Sequence, residues 1–145
     1  MDKQKTILFL CTGNYFRSRF AEYYFNHFAK GLPWVAKSRG LALFTYDNVG
    51  PVSSYTIQEL QKIGITIDNP NFPIAVKEED FENADKIIAL SKKEHEPMIA
   101  KYFPKWQNLV SYWEIGDIDV ENTTSSFKKM EILLDKLIAE LRQKN

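Results

Sequence analysis

The chain alternates between short runs rich in apolar residues and longer segments where apolar residues return every third or fourth place. The runs are residues 6–10, 34–36, 86–90 and 108–112. Residues 6–10 are continuous and without polar alternation, which predicts a strand covered on both faces, as in a parallel sheet, and the other three read as strands beside it. Between the first two, Phe20, Ala21, Tyr24, Phe25 and Phe28 predict a helix over residues 18 to about 29, closed by Gly31 and Pro33. Ile57, Leu60 and Ile63 predict a second helix, with Ser53 or Ser54 as its cap and Gly64 at its end. Ser91 caps a third, over residues 92 to about 101, and Phe127, Met130, Ile132, Leu133, Leu134, Leu137, Ile138 and Leu141 form the apolar stripe of a last helix from about residue 124 to 142. Residues 68–73, with two prolines, and the acidic stretch 116–122 predict loops.

Strands alternating with helices imply an α/β fold, a parallel sheet with right-handed crossovers and helices on both faces. No repeat, low-complexity tract or linker interrupts it, so residues 1–145 are expected to form one domain. In such sheets ligands bind at the C-terminal ends of the strands. That edge holds Cys11, just after the first strand, and Asp117, just after the fourth.

Composition narrows the functions available. The 19 basic and 19 acidic residues cancel, so no global field points to nucleic acid or an anionic membrane, and a phosphate site must be a local concentration of donors. No apolar run approaches the ~20 residues of a membrane span, and residues 6–10 are too short for a secretory core. A cytoplasmic location without membrane insertion is therefore expected. One cysteine makes no internal disulfide and no cysteine zinc site, and two histidines are too few for a metal cluster. A lone Cys is usually a small buried hydrophobe. Its surroundings set this one apart.

Those surroundings are Cys11-Thr12-Gly13-Asn14-Tyr15-Phe16-Arg17-Ser18, between a buried strand and a helix. A strand-loop-helix turn aims successive backbone N–H groups and a helix N-terminus at one point, which favours an anion. Gly13 and Asn14 tolerate the left-handed backbone angles of a tight cradle. Arg17 can grip two phosphate oxygens through its planar fork. The same positive setting favours a thiolate, and a thiolate inside a phosphate cradle is poised for in-line attack on phosphorus. Ser18 can hydrogen-bond the sulfur and assist its departure.

This octapeptide, followed by Arg19-Phe20-Ala21-Glu22, resembles the signature of the low-molecular-weight protein tyrosine phosphatases: Cys, five residues, Arg, Ser after the first strand. The resemblance continues in Ser38-Arg39-Gly40, in the helix end Leu60-Gln61-Lys62-Ile63-Gly64-Ile65 and in Glu78-Glu79-Asp80-Phe81 with residues 85–90. It extends to Trp113-Glu114-Ile115-Gly116-Asp117, which is similar to the run into the family's catalytic Asp-Pro. It implies a flavodoxin-like three-layer sandwich around a four-stranded parallel sheet, with the phosphate loop after the first strand. It also implies hydrolysis of phosphotyrosine-containing proteins or small aryl phosphates through a phosphocysteine. Cys11 is then the nucleophile, Arg17 the phosphoryl-binding residue and Asp117 the general acid. Thr12, Gly13, Asn14, Tyr15, Phe16, Arg17 and Ser18 bind the substrate, Asn14 holds the loop in shape and Ser18 tunes the thiolate. No metal or cofactor is required, no nucleic-acid partner is implied, and a monomer or weak dimer is expected.

Several positions depart from the family pattern. Phe16 stands where many members carry a second, protective cysteine, so oxidation of Cys11 has no internal partner. Ile118 replaces the usual proline and leaves Asp119 as an alternative acid. Arg19, where the family often has proline, puts a charge near the rim or in solvent. Asn71 falls roughly where a family histidine supports the loop. Tyr15, Phe16, Phe44 and Tyr46 could line the mouth in place of missing tyrosines. His27 and His95 read as surface residues. Two other functions stay open: an arsenate reductase using external thiols, and a catalytically weak phosphate-binding regulatory module.

Overall fold

A computed structural model describes residues 3–43, 48–116 and 122–144. The elements are β1 (Lys5–Cys11), α1 (Arg17–Phe28), β2 (Trp34–Gly40), α2 (Ser54–Lys62), α3 (Glu78–Glu82), β3 (Lys86–Ala89), α4 (Lys92–Tyr102), β4 (Val110–Tyr112) and α5 (Thr123–Gln143). The four strands form one parallel sheet in the order β2-β1-β3-β4. This is the expected α/β architecture, and it puts the change of winding direction between β1 and β3, where such sheets bind ligands.

The unbroken apolar run of β1 explains its central place. Ile7 and Phe9 enter one core cluster with Phe20, Phe25, Leu60 and the stripe Met130-Leu134-Ile138. Leu8 and Leu10 enter the other, with Phe81, Ile87, Ile99 and Val110. Successive residues of a strand face opposite ways, so a strand needing apolar cover on both faces gathers a helical layer on each. α1, α2 and α5 supply one layer; α3 and α4 supply the other.

Three elements differ from the sequence pattern. β2 runs four residues further than the apolar run at 34–36, because it is an edge strand whose outer residues, Lys37 exposed among them, need no apolar cover. α3 is a five-residue helix with no room for a 3.6-residue period; Lys77 N–H donating to the Asp80 carboxylate (2.8 Å) marks its start. β4 covers three residues rather than five, the preceding residues belonging to a 3₁₀ turn at Pro104–Trp106 and its exit. Ser91 caps α4 as expected, its Oγ accepting from the Glu94 N–H at 3.3 Å. Among the described residues no helix is long and apolar enough to cross a membrane.

Candidate active site

β1 ends at Cys11, and α1 begins at Arg17 with Phe16 as an N-cap residue that makes no side-chain cap bond. The first turn of α1 therefore keeps its N–H groups turned toward the loop without a local side chain to satisfy them. The loop carbonyls, by contrast, are taken up on the outside. Cys11 and Thr12 oxygens accept from Leu41 and Ala42 N–H, both at 2.9 Å; the Tyr15 oxygen accepts from Ser53 N–H at 3.0 Å and the Phe16 oxygen from Thr56 Oγ1 at 3.1 Å. No described residue accepts a hydrogen bond from the backbone N–H groups of Gly13, Asn14, Tyr15 or Phe16. Carbonyls bound outward and amides unbound inward make an anion cradle.

Asn14 gives the loop its curvature. It is the residue in the left-handed region (φ +51°), rather than Gly13, and it is fully buried. Ile74 N–H donates to Asn14 Oδ1 at 2.9 Å, which fixes the amide orientation, because a backbone N–H needs an acceptor. Asn14 Nδ2 then donates to both Ser18 Oγ and Ser38 Oγ, each at 2.9 Å. With Ser18 Oγ accepting from Asn14, its own proton is left for the Cys11 Sγ, 2.9 Å away. On the other branch Ser38 Oγ donates to Glu22 Oε1 at 2.5 Å. Burial raises the Glu22 carboxyl above its usual range, an effect opposed by that bond and by the charges of Arg19 and Arg39.

Gly40, the last residue of β2, lies against this loop. A Cβ there would stand 2.9 Å from the Thr12 carbonyl oxygen and 3.1 Å from Asn14 Cβ. The Thr12 contact is with backbone and cannot rotate away. Gly40→Ala is expected to destabilise the protein by about 1–3 kcal/mol and to weaken its binding of inorganic phosphate, measured by thermal melts and phosphate titration. Unaltered phosphate affinity would show that the loop does not depend on this close approach.

Arg17 is 1% exposed and engages a partner that sequence patterning did not single out. Its Nη1 and Nη2 donate to Glu94 Oε2 and Oε1 at 3.0 and 2.9 Å, and Nη1 also donates to the Ile115 carbonyl at 3.0 Å. The Thr12 hydroxyl donates to Glu94 Oε1 as well. His95, read from the sequence as a surface residue, is fully buried, its Nδ1 accepting from Ser91 N–H (3.1 Å) and its Nε2 lying 3.0 Å from Thr12 Oγ1. The signal for both residues was weak: each follows the lysines that open an otherwise charged helix, and only the fold turns that turn of α4 toward β1.

Burial of Glu94 opposes its ionisation, but the polar groups of His95, Arg17 and Thr12 and the Arg17 charge outweigh it and hold the carboxyl well below its usual range. A carboxyl lowered in the folded state binds fewer protons there than in the unfolded chain. Its stabilisation is complete above the unfolded value and is lost as pH falls. Between about pH 5 and pH 3 the wild type is expected to lose thermal stability more steeply than Glu94→Gln. Parallel curves would contradict the pairing.

Other positions are corrected by the structure. Phe16 does not line the mouth; its ring turns inward, 5.2 Å from that of Phe127, and only its backbone faces the loop. Arg19 is neither at the rim nor solvated: it is fully buried, with Nη2 donating to Tyr23 OH at 3.0 Å. Asn71 is exposed and donates to the Phe72 carbonyl, so the loop support falls to Ile74 instead. Tyr15 is half-buried, its hydroxyl donating to the Val49 carbonyl. Asp117, the alternative Asp119 with Ile118, and the mouth aromatics Phe44 and Tyr46 lie outside the described residues. Ile115 and Gly116, immediately before Asp117, are described, and both are tied to the site's surroundings, Ile115 to Arg17 and the Gly116 carbonyl to Ser126 Oγ at 3.2 Å.

Comparison with known proteins agrees with this geometry. A protein-arginine-phosphatase of Bacillus subtilis (strain 168) is 26% identical over 94% of this chain and 97% of its own length. The crystal structure of a low molecular weight protein tyrosine phosphatase from T. tengcongensis is 28% identical, with a TM-score of 0.77 over 98% of this chain and all of the other. A mutant of YwlE from Bacillus subtilis is 25% identical, with a TM-score of 0.77 over 96% of this chain and 99% of the other. Residues 6–144 match the model of the low molecular weight phosphotyrosine protein phosphatases, and the chain belongs to that family.

Proposed function

We propose that the chain hydrolyses phosphotyrosine in proteins, and small aryl phosphates, through a phosphocysteine at Cys11. The observation that carries this reading is the loop itself: Cys11 Sγ beside the Ser18 hydroxyl (2.9 Å), over a row of amides with no described acceptor. In the first step the Cys11 thiolate attacks phosphorus, the S–P bond forms and the P–O bond to the aryl group breaks. The amides and Arg17 hold the equatorial oxygens, whose charge they stabilise. Asp117 gives its proton to the departing phenolate oxygen. In the second step water attacks phosphorus, gives a proton back to Asp117 and releases inorganic phosphate, the thiolate departing with the Ser18 hydroxyl bonded to it. The assignment of Asp117 is supported by the Ile115 carbonyl on Arg17, which brings the chain leading to Asp117 to the loop.

The arginine phosphatase relative of Bacillus subtilis favours a second reading, in which the phosphoryl group is carried by arginine and a P–N bond breaks instead. Tyr15 speaks for the aryl substrate, since it belongs to the loop, its half-buried side chain is tied to the Val49 carbonyl, and a ring at that position would stack on a substrate ring. Turnover of a phosphotyrosine peptide and of a phosphoarginine peptide under the same conditions separates the two. The proposed function expects kcat/KM to favour phosphotyrosine; preference for phosphoarginine would transfer the same chemistry to the second substrate.

A further inference from the structure

The Arg17–Glu94 pair has a geometry that limits what Glu94 can do. A guanidinium presents two forked edges, an end-on edge of the two Nη groups and a side-on edge of Nε with one Nη. Glu94 meets the end-on edge with both carboxylate oxygens, 2.9 and 3.0 Å away, while the Ile115 carbonyl shares Nη1. Glu94 is itself held. The Thr12 hydroxyl, inside the loop, donates to its Oε1. Thr12 Oγ1 in turn lies 3.0 Å from His95 Nε2, and Ser91 N–H donates to His95 Nδ1. An Nδ1 that accepts a backbone N–H carries no proton, so the ring hydrogen sits on Nε2 and points at Thr12. The hydrogen bonds thus run in one direction, from the Ser91 backbone through His95 and Thr12 to Glu94, and Arg17 donates into the same carboxylate from the other side.

We propose that Glu94 is a positioning residue for the phosphoryl-binding Arg17, oriented by Thr12 and by His95 as its Nε2–H tautomer. This rests on the reading of the loop as a phosphate cradle. It joins the loop at its second residue to the helix that follows β3, and so makes α4 part of the site by way of Arg17 and Thr12. Glu94 acts through Arg17 and not on the reacting atoms.

The proposal has a sharp sign. As a mere negative charge near the cradle, Glu94 would repel phosphate, and removing it would tighten binding. As a positioning residue it holds the guanidinium in place, and removing it lets the side chain wander, so binding weakens. The experiment uses the full chain and does not depend on turnover. Cys11 is alkylated with anionic iodoacetate and with neutral iodoacetamide, and inorganic phosphate is titrated as a protectant, in wild type, Glu94→Ala, Glu94→Gln, Arg17→Ala and the Arg17→Ala/Glu94→Ala double variant. Wild type is expected to favour iodoacetate. Glu94→Ala should lose on the order of tenfold of that preference and of phosphate affinity, as the loss of a charged hydrogen-bond pair does, with the iodoacetamide rate changed less than about twofold. Glu94→Gln, which keeps the shape and a Thr12 contact, should fall between. In the Arg17→Ala background the Glu94 change should cause no further loss, and removing a carboxylate that has lost its cation should there restore part of the phosphate binding.

Tighter phosphate binding in Glu94→Ala, or equal losses with and without Arg17, would overturn the proposal. So would an equal slowing of both alkylating agents, which marks a general distortion of the loop. A wild type that shows neither iodoacetate preference nor phosphate protection would overturn the cradle reading beneath it, and the two failures are thereby told apart.

Discussion

Cys11→Ser is expected to lower turnover of an aryl phosphate on the order of a thousandfold or more, while inorganic phosphate still binds. The loop has two separable tasks under the proposed function. On the proposed function, binding belongs to the amides of Gly13, Asn14, Tyr15 and Phe16 and to Arg17, none of which the substitution removes. On the same reading chemistry belongs to sulfur, because a serine hydroxyl is not ionised near neutral pH and loop residues 12–18 carry no carboxylate or imidazole to ionise it. Cys11 is 2% exposed at the end of β1, so an isosteric change there leaves the strand pairing with Gly40 untouched. Steady-state rates together with a phosphate titration check the prediction. Retained turnover would remove the nucleophile assignment.

Asp117→Asn is expected to slow phenyl phosphate by about a hundredfold or more, and p-nitrophenyl phosphate far less. A general acid contributes ~10²–10⁴-fold where the leaving oxygen must be protonated, and p-nitrophenolate departs without help. The alkaline limb of the phenyl phosphate pH–rate profile should also disappear, since that limb reports loss of the acid's proton. Asp119→Asn should leave both features in place. If the roles of the two variants exchange, the acid is Asp119, and the chain beyond Gly116 runs to the loop in a different register.

The contrast between what was legible in the sequence and what was not follows physical lines. The central strand was legible because a segment buried on both faces must be apolar throughout, and Ile7 to Leu10 are. The loop was legible because its demands are local: a residue tolerant of positive φ, a helix start and an arginine within one turn. The edge strand β2 was only half legible, since polar residues at an edge look like loop. Ser38 shows why. It is buried and polar, and its place is justified only by Asn14 and Glu22, which come from other elements. Glu94 and His95 were not legible for the same reason. Their bonds to Arg17 and Thr12 span 77 and 83 positions, and nothing in the sequence around them differs from a solvated charged helix. Arg19 makes the opposite point, a charge that looks exposed in the pattern and is covered by Tyr23 and the segment at Pro51.

The central claim is a covalent bond between phosphorus and Cys11, and rapid quenching tests it most directly. The protein is mixed with p-nitrophenyl phosphate, whose leaving group needs no acid, stopped in denaturant at neutral to alkaline pH within milliseconds, digested and read by mass spectrometry, with Asp117→Asn included to slow the hydrolysis that consumes the intermediate. The account predicts one phosphoryl group per chain on Cys11, rising before steady state and absent in Cys11→Ser. Turnover with no phosphoryl group on Cys11, or with the group on another residue, would contradict it.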